Sequence, residues 1–162
     1  MDWSDAWASD WNDDSGRIDI GSLMPVLRLA RLGVLVEALQ TEILGNYELT
    51  PREFDVLSAL RRVGRPHALN PSQLYAPLRL SSGGTTKILK RLEASGAIER
   101  EPDPEDGRSV RVSLTSRGLA LHDRVLRAIA AASTQVLSGL STTERRSIDS
   151  ALEKLMNTLE EA

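Results

Sequence analysis

The sequence predicts a mainly α protein with a small β wing. Three observations predict it. Helix start and stop signals recur along the 162 residues, with one pair of short alternating segments among them. That pair, Ala97–Arg100 and Val110–Leu114, flanks a charged, Pro-containing loop that holds the turn signal Asp106-Gly107. Just before it, Ser82 to about Ser95 reads as an amphipathic basic helix opened by two glycines. A short helix, a turn, a basic helix and a hairpin in that order describe a winged helix-turn-helix, here flanked by long helices on both sides.

Taken from the N-terminus, Trp3, Trp7 and Trp11 recur at i, i+4 and i+8, which puts three indoles on one face of a short helix. The stripe fits packing on the body, or an indole closing a ligand pocket with its apolar wall and N–H donor. A short, strongly charged stretch also fits an unfolded tail. Residues 1–20 are therefore set apart as an N-terminal extension, and 21–162 as the main domain. From Leu23 to Leu44 the apolar positions Leu27, Leu32, Leu35, Leu39 and Ile43 recur at helical spacing, and Val26, Leu29, Val34 and Val36 widen the stripe to nearly all round. A helix so apolar needs cover on several sides, from its own domain or from a second copy.

Thr50-Pro51-Arg52-Glu53 is a capping box with Pro at the first helical position. Its helix buries Phe54, Leu57 and Leu60 and stops at Gly64. Asn70-Pro71-Ser72-Gln73 repeats the device for a short helix burying Leu74 and Leu78. Leu80 and Ser81 form the turn, and Ser81 or Ser82 caps the basic helix. That helix points Leu89 and Leu92 inward, with Ile88 at the border, and stops at Gly96. Glu101-Pro102-Asp103-Pro104-Glu105 cannot be central sheet, because proline lacks the ladder donor. Thr115 starts a long helix to about Leu137. Ser141-Thr142-Thr143-Glu144 is a third capping box, and its helix sets Ile148, Leu152, Leu155, Met156 and Leu159 on one face. The winged unit spans about 49–115, and the helices at about 22–45 and 116–161 read as dimerisation helices.

Composition narrows the function. Zero cysteines exclude a disulfide scaffold, a Cys-ligated zinc site and a thiol sensor. No run approaches ~18 apolar residues, and the start of the chain lacks a basic and apolar leader, so a cytoplasmic protein with no membrane span is expected. The two histidines, His67 on a loop and His122 on a helix, show no Ser/Asp or metal-spaced partners in the sequence, so no enzyme, no catalytic residue, no metal and no cofactor are expected. Net charge is −3, but residues 1–20 hold six Asp against one Arg and account for −5, leaving +2 on the rest. Screening beyond ~8 Å makes the local surface decide.

That surface is basic, with Lys87, Lys90 and Arg91 on the predicted helix. Its first turn, Ser82, Gly83, Gly84, Thr85 and Thr86, holds two glycines that cost roughly 1 kcal/mol each relative to Ala. Glycine there lets the backbone press on a bulky partner, as base edges in a major groove would be. Arg108, just past the wing turn, suits a minor groove. Double-stranded DNA is the partner these residues fit, with a winged protein-interaction module as the alternative.

The motifs LTPREFDVL (Leu49–Leu57), NPSQL (Asn70–Leu74), RLEASGAIER (Arg91–Arg100) and PDPEDGRSVRVSLTSRG (Pro102–Gly118) resemble the MarR family of winged helix-turn-helix regulators. The resemblance covers about Leu23 to Leu159. It implies a homodimer of interlocked terminal helices that binds a palindromic operator and usually represses, with Asp106 and Arg108 matching the family's wing Asp and Arg. The tryptophan-bearing extension and the SSGG helix start further resemble the subgroup that responds to urate and related anionic metabolites. That likeness implies a small-molecule effector site at Trp11, Asp55 and Arg100. The subgroup's recognition-helix arginine falls at Ile88 here, which takes one bidentate donor out of such a site.

Overall fold

The computed structural model describes residues 20–78, 82–103 and 110–161. Its elements are α1 (Ile20–Gly45), α2 (Pro51–Arg62), β1 (Ala68–Leu69), α3 (Pro71–Leu78), α4 (Ser82–Ala94), β2 (Ile98–Pro102), β3 (Val110–Leu114), α5 (Ser116–Val136) and α6 (Thr142–Glu160). The chain divides into two compact units, Met1–Phe54 and Asp55–Ala162.

In the first unit α1 extends three residues further toward the N-terminus than the apolar pattern predicts, and it tolerates Pro25 in its second turn. Among its described side chains only Leu44 is buried, while Leu23, Val26, Leu32, Val34, Leu35 and Val36 are exposed. The all-round apolar pattern is therefore real, but this chain does not itself cover it. The capping box that opens α2 forms as its spacing requires: Glu53 Oε2 accepts from the Thr50 N–H at 2.8 Å and from its hydroxyl at 2.9 Å, and the Glu53 N–H donates back to Thr50 Oγ1.

The second unit contains the core of the winged fold. Val56, Leu57 and Leu60 of α2, Leu74 of α3, Leu89 and Leu92 of α4, Ile98 of β2, Val112 of β3 and Val125 of α5 are all buried. Asn70 caps α3 and Gln73 reaches back to the Asn70 N–H, so the second expected box also forms. The Leu78 side chain and the turn residue Ser81 lie outside the described set.

The sheet holds one strand more than the pattern reveals. Its order is β1-β3-β2, antiparallel throughout, with Ala68 paired to Ser113 and Leu69 to Val112. Two residues are too few to show a period of two, which is why β1 is invisible in the sequence. Strand β2 also runs on through Glu101 and Pro102, paired with Arg111 and Val110. Proline fits there because β2 is an edge strand.

Gly96 closes α4 with φ +70°, while the Ala97 N–H bonds to Leu92 O and the Gly96 N–H to Glu93 O. This paired closure needs a left-handed residue at Gly96. The junction between the wing and α5 is the tightest contact in the unit. Thr115 caps α5 by accepting from the Gly118 N–H at 3.0 Å, and its hydroxyl donates to Gly96 O at 2.7 Å. At the far end of the unit α6 opens on the third expected box, Ser141 with Glu144. Hydrogen bonds from the Ser141 hydroxyl and N–H hold the Glu144 carboxyl below its ordinary value. Its apolar stripe stays uncovered, with Ile148, Leu155, Met156 and Leu159 exposed, as are Leu126, Val136 and Leu137 of α5.

Candidate nucleic-acid interface

Helix α4 has two faces, and its periodicity explains both. Thr85, Leu89 and Leu92, at i, i+4 and i+7, form the inner stripe and are 0 %, 2 % and 1 % exposed. Ile88 is half-buried at the border. Gly84, Thr86, Lys87, Lys90 and Arg91 are exposed on the other side. The expected DNA-facing set therefore needs one correction: Thr85 is sealed in the core, because it shares the register of the inward leucines. Ser82 and Gly83 form the first turn of α4. Asp106 and Arg108 of the wing lie outside the described residues, as does Trp11.

The outward face can meet a nucleic acid in the plain electrostatic sense. Three cations within five positions project from one side of a helix whose first turn carries little side-chain bulk. Exposed Lys and Arg stems reach phosphates, while helix N-termini offer free N–H groups to the same oxygens. The hairpin β2–β3 begins two residues beyond the Gly96 stop, so the wing is held next to the C-terminal end of α4. The long exposed run of α5 and α6 lies on the other side in sequence, where apolar rather than charged side chains dominate.

Two of the three residues expected to hold an effector belong to this same unit. Asp55 is half-buried on α2. Arg100 lies on the inner face of β2, since strand alternation puts it with Ile98 and opposite buried Val112. Its side chain is only 25 % exposed, and its Nε lies 3.2 Å from Glu93 Oε2 on α4. That pair is an ion contact and not an aligned hydrogen bond, for the Arg100 Nε and Nη2 atoms are buried without a hydrogen-bond partner. Buried guanidinium donors left unmatched are costly, which makes this side chain receptive to a further acceptor. Glu93 was not singled out by the sequence. It stands seven residues before Arg100 across the Gly96 turn, a proximity that becomes visible once helix, stop and strand are placed in order.

A second correction concerns His122. The sequence shows no Ser partner near it, yet its Nε2 lies 3.3 Å from Ser58 Oγ, and its Nδ1 lies 3.2 Å from Asp123 Oδ1. Ser58 comes from α2, 64 positions earlier. The trio resembles a hydrolytic arrangement in residue type only, because the imidazole is 5 % exposed and closed to a substrate. Among the described residues no cluster of three or more His, Cys, Asp or Glu is placed to hold a metal. No described helix is long and apolar enough to cross a membrane.

Known proteins share this arrangement. A family model described as MarR family matches residues 47–109. The HTH-type transcriptional regulator PecS of Dickeya dadantii (strain 3937) is 33% identical over 135 residues, which cover 83% of this chain and 81% of that protein. The multiple antibiotic resistance protein MarR of Escherichia coli (strain K12) is 32% identical over 100 residues, 59% of this chain and 67% of that one. Among solved structures, a mutant MarR from E. coli complexed with operator DNA superposes with a TM-score of 0.66 at 26% identity, covering 83% of this chain and 95% of that chain. With its helical body, three-stranded wing sheet and two-faced α4, and with a relative of this similarity matched over four-fifths of its length, the chain belongs to the MarR family of DNA-binding transcriptional regulators.

Proposed function

We propose that the protein is a homodimeric repressor that reads a palindromic operator through α4 and the wing, and that a small anionic ligand releases it. The observation that carries the DNA reading is the division of α4: Thr85, Leu89 and Leu92 are locked inside while Lys87, Lys90 and Arg91 stand outside on the same helix. In this reading Gly83 and Gly84 let the helix start approach base edges. Arg108 reaches the minor groove from the wing, and Asp106 shapes the turn that presents it.

The dimer reading rests on uncovered apolar side chains. Leu32, Val34, Leu35 and Val36 on α1, and Ile148, Leu155, Met156 and Leu159 on α6, are each 38% exposed or more. Leaving so much apolar surface in water is unfavourable by about 25 cal/mol per Å², and a second copy would cover it. The two recognition helices of such a dimer would enter successive major-groove faces, with half-sites about 10 base pairs apart centre to centre. Sedimentation of the protein alone and with a duplex selected from a random-sequence pool checks both points. The expected result is a dimer at micromolar concentration, bound to sites with inverted half-sites at that spacing. A monomer that binds duplex with full affinity would overturn the reading.

The effector reading is supported by the unmatched donors of Arg100 and by the resemblance that also points to Trp11 and Asp55. A ligand can release DNA only by binding the DNA-incompetent arrangement more tightly than the competent one. Urate is the reference anion for this site. The Ile88 position, half-buried and apolar, lacks the second guanidinium, so a less charged ligand fits better. Trp11→Phe is expected to keep duplex affinity and to weaken ligand-induced release. A thermal-shift screen of anionic metabolites followed by release assays checks this, and full release from the Trp11→Ala variant would remove the indole from the site.

A further inference from the structure

Helix α5 carries a buried histidine that the DNA-facing surface does not use. His122 stands between α2 and α5, its side chain 5 % exposed. The groups facing it are the Ser58 hydroxyl and the Arg61 guanidinium from α2, and the Asp123 carboxylate from its own helix. Asp123 Oδ1 lies 3.2 Å from the imidazole Nδ1 and also accepts from Arg61 Nε at 3.3 Å. Ser58 and Arg61, one turn apart on the first helix of the helix-turn-helix, are thus tied to two adjacent residues of the long helix. Hydrogen bonds from His122 and then Arg61 hold the Asp123 carboxyl below its ordinary value. It is therefore an anion throughout the range in which an imidazole changes charge, roughly pH 5 to 8.

The neutral imidazole satisfies this geometry. An ionised carboxylate has no proton to give, so Nδ1–H donates to Asp123 and Nε2 accepts from the Ser58 hydroxyl. Adding a proton changes both ends. Nε2 becomes a donor, and the Ser58 hydroxyl must turn its own proton away and accept instead. The group of Asp123, Arg61 and His122 goes from net neutral to +1, with two cations on one carboxylate oxygen. The histidine is buried and cannot move away. Arg61 is 40 % exposed and can relax into solvent. Protonation therefore loosens the Arg61 arm and leaves the imidazole holding the carboxylate.

We propose that His122, Asp123, Ser58 and Arg61 form a proton-responsive clasp between α2 and α5, which holds the helix-turn-helix in its DNA-binding placement when His122 is neutral and releases it when His122 is protonated. The inference rests on the DNA-binding reading above for its consequence, but not for the clasp itself. By linkage, if the DNA-bound placement disfavours the extra proton, affinity is full at the upper end of the range and falls as pH drops.

The test is duplex affinity between about pH 8 and about pH 6, using a duplex selected by the protein from a random pool at the higher pH. The parent should weaken roughly three- to tenfold, the change that a difference of about half to one unit in proton affinity transmits. His122→Gln, neutral at every pH and still able to hydrogen-bond, should keep the high-pH affinity throughout. Arg61→Gln, on an exposed side chain, should bind at both pH values about as the parent does at the lower one. His67 is the chain's other histidine, and with φ +59° it sits where Asn is well tolerated. His67→Asn should therefore respond like the parent. Amide exchange of α2, expressed as protection factors, reads the clasp without DNA: protection should fall with pH in the parent and not in His122→Gln. If no duplex is selected, the DNA reading fails while the exchange result still decides the clasp. An equal pH response in parent and His122→Gln, or a response lost only in His67→Asn, overturns the proposal.

Discussion

Gly118→Ala should destabilise the protein by about 3 kcal/mol or more, lowering its melting temperature by on the order of 10 °C. A Cβ built at Gly118 would lie 1.9 Å from the Ala97 carbonyl oxygen, 2.8 Å from its carbon and 3.2 Å from its Cα. These are backbone atoms, so no rotamer change relieves the clash. Nor can the strand end simply shift, because the Thr115 N–H donates to that same Ala97 oxygen at 3.1 Å and the Thr115 hydroxyl donates to Gly96 O. Relief requires α5 to back away from the turn that ends α4, which opens the Thr115 cap at a further cost of about 1 kcal/mol. Gly139→Ala is the control, since a Cβ there meets nothing within 4 Å. Thermal unfolding by circular dichroism checks the pair. A Gly118→Ala protein melting within about 2 °C of the parent would show that this junction is looser than its geometry.

The same junction explains why so much of the fold was legible. Each expected helix start rests on a local hydrogen bond whose donor and acceptor are three residues apart, at Thr50–Glu53, Asn70–Gln73 and Ser141–Glu144. Local chemistry of that kind can be read along the chain. Gly96 was legible for the same reason, as was the alternation that buries Val112 and Leu114. What escaped depends on residues far apart in sequence. Strand β1 exists only because β3 offers it an edge. His122 has its Asp next to it, but Ser58 reaches it from 64 positions away. Thr85 was misplaced because polarity suggested the outer face, while helical register with Leu89 and Leu92 turned it inward. The candidate DNA surface was legible as a cluster of charges, whereas the unmatched donors of Arg100 needed the strand's inner face and Glu93 to become visible.

The second large effect is on DNA binding, and it bears on the central claim that α4 is the element presented to the duplex. Lys87, Lys90 and Arg91 are exposed on one helix that keeps its buried stripe without them. Replacing all three by Ala should therefore leave the fold intact, with helix propensity slightly improved. Each phosphate contact contributes about −0.9 to the slope of log affinity against log salt, so losing two or three contacts should lower the slope by about 2 to 3. The overall charge of −3 makes the outcome decisive, because a net-acidic protein gains little duplex affinity unless a local basic surface supplies it.

The direct measurement is equilibrium binding of the selected duplex across a salt series, for the parent and for the Lys87→Ala, Lys90→Ala, Arg91→Ala triple variant, with unfolding curves recorded alongside. The account predicts a steep salt dependence in the parent, and a shallower slope with at least tenfold weaker binding at low salt in a variant that melts like the parent. Unchanged affinity and slope in the well-folded variant would contradict it.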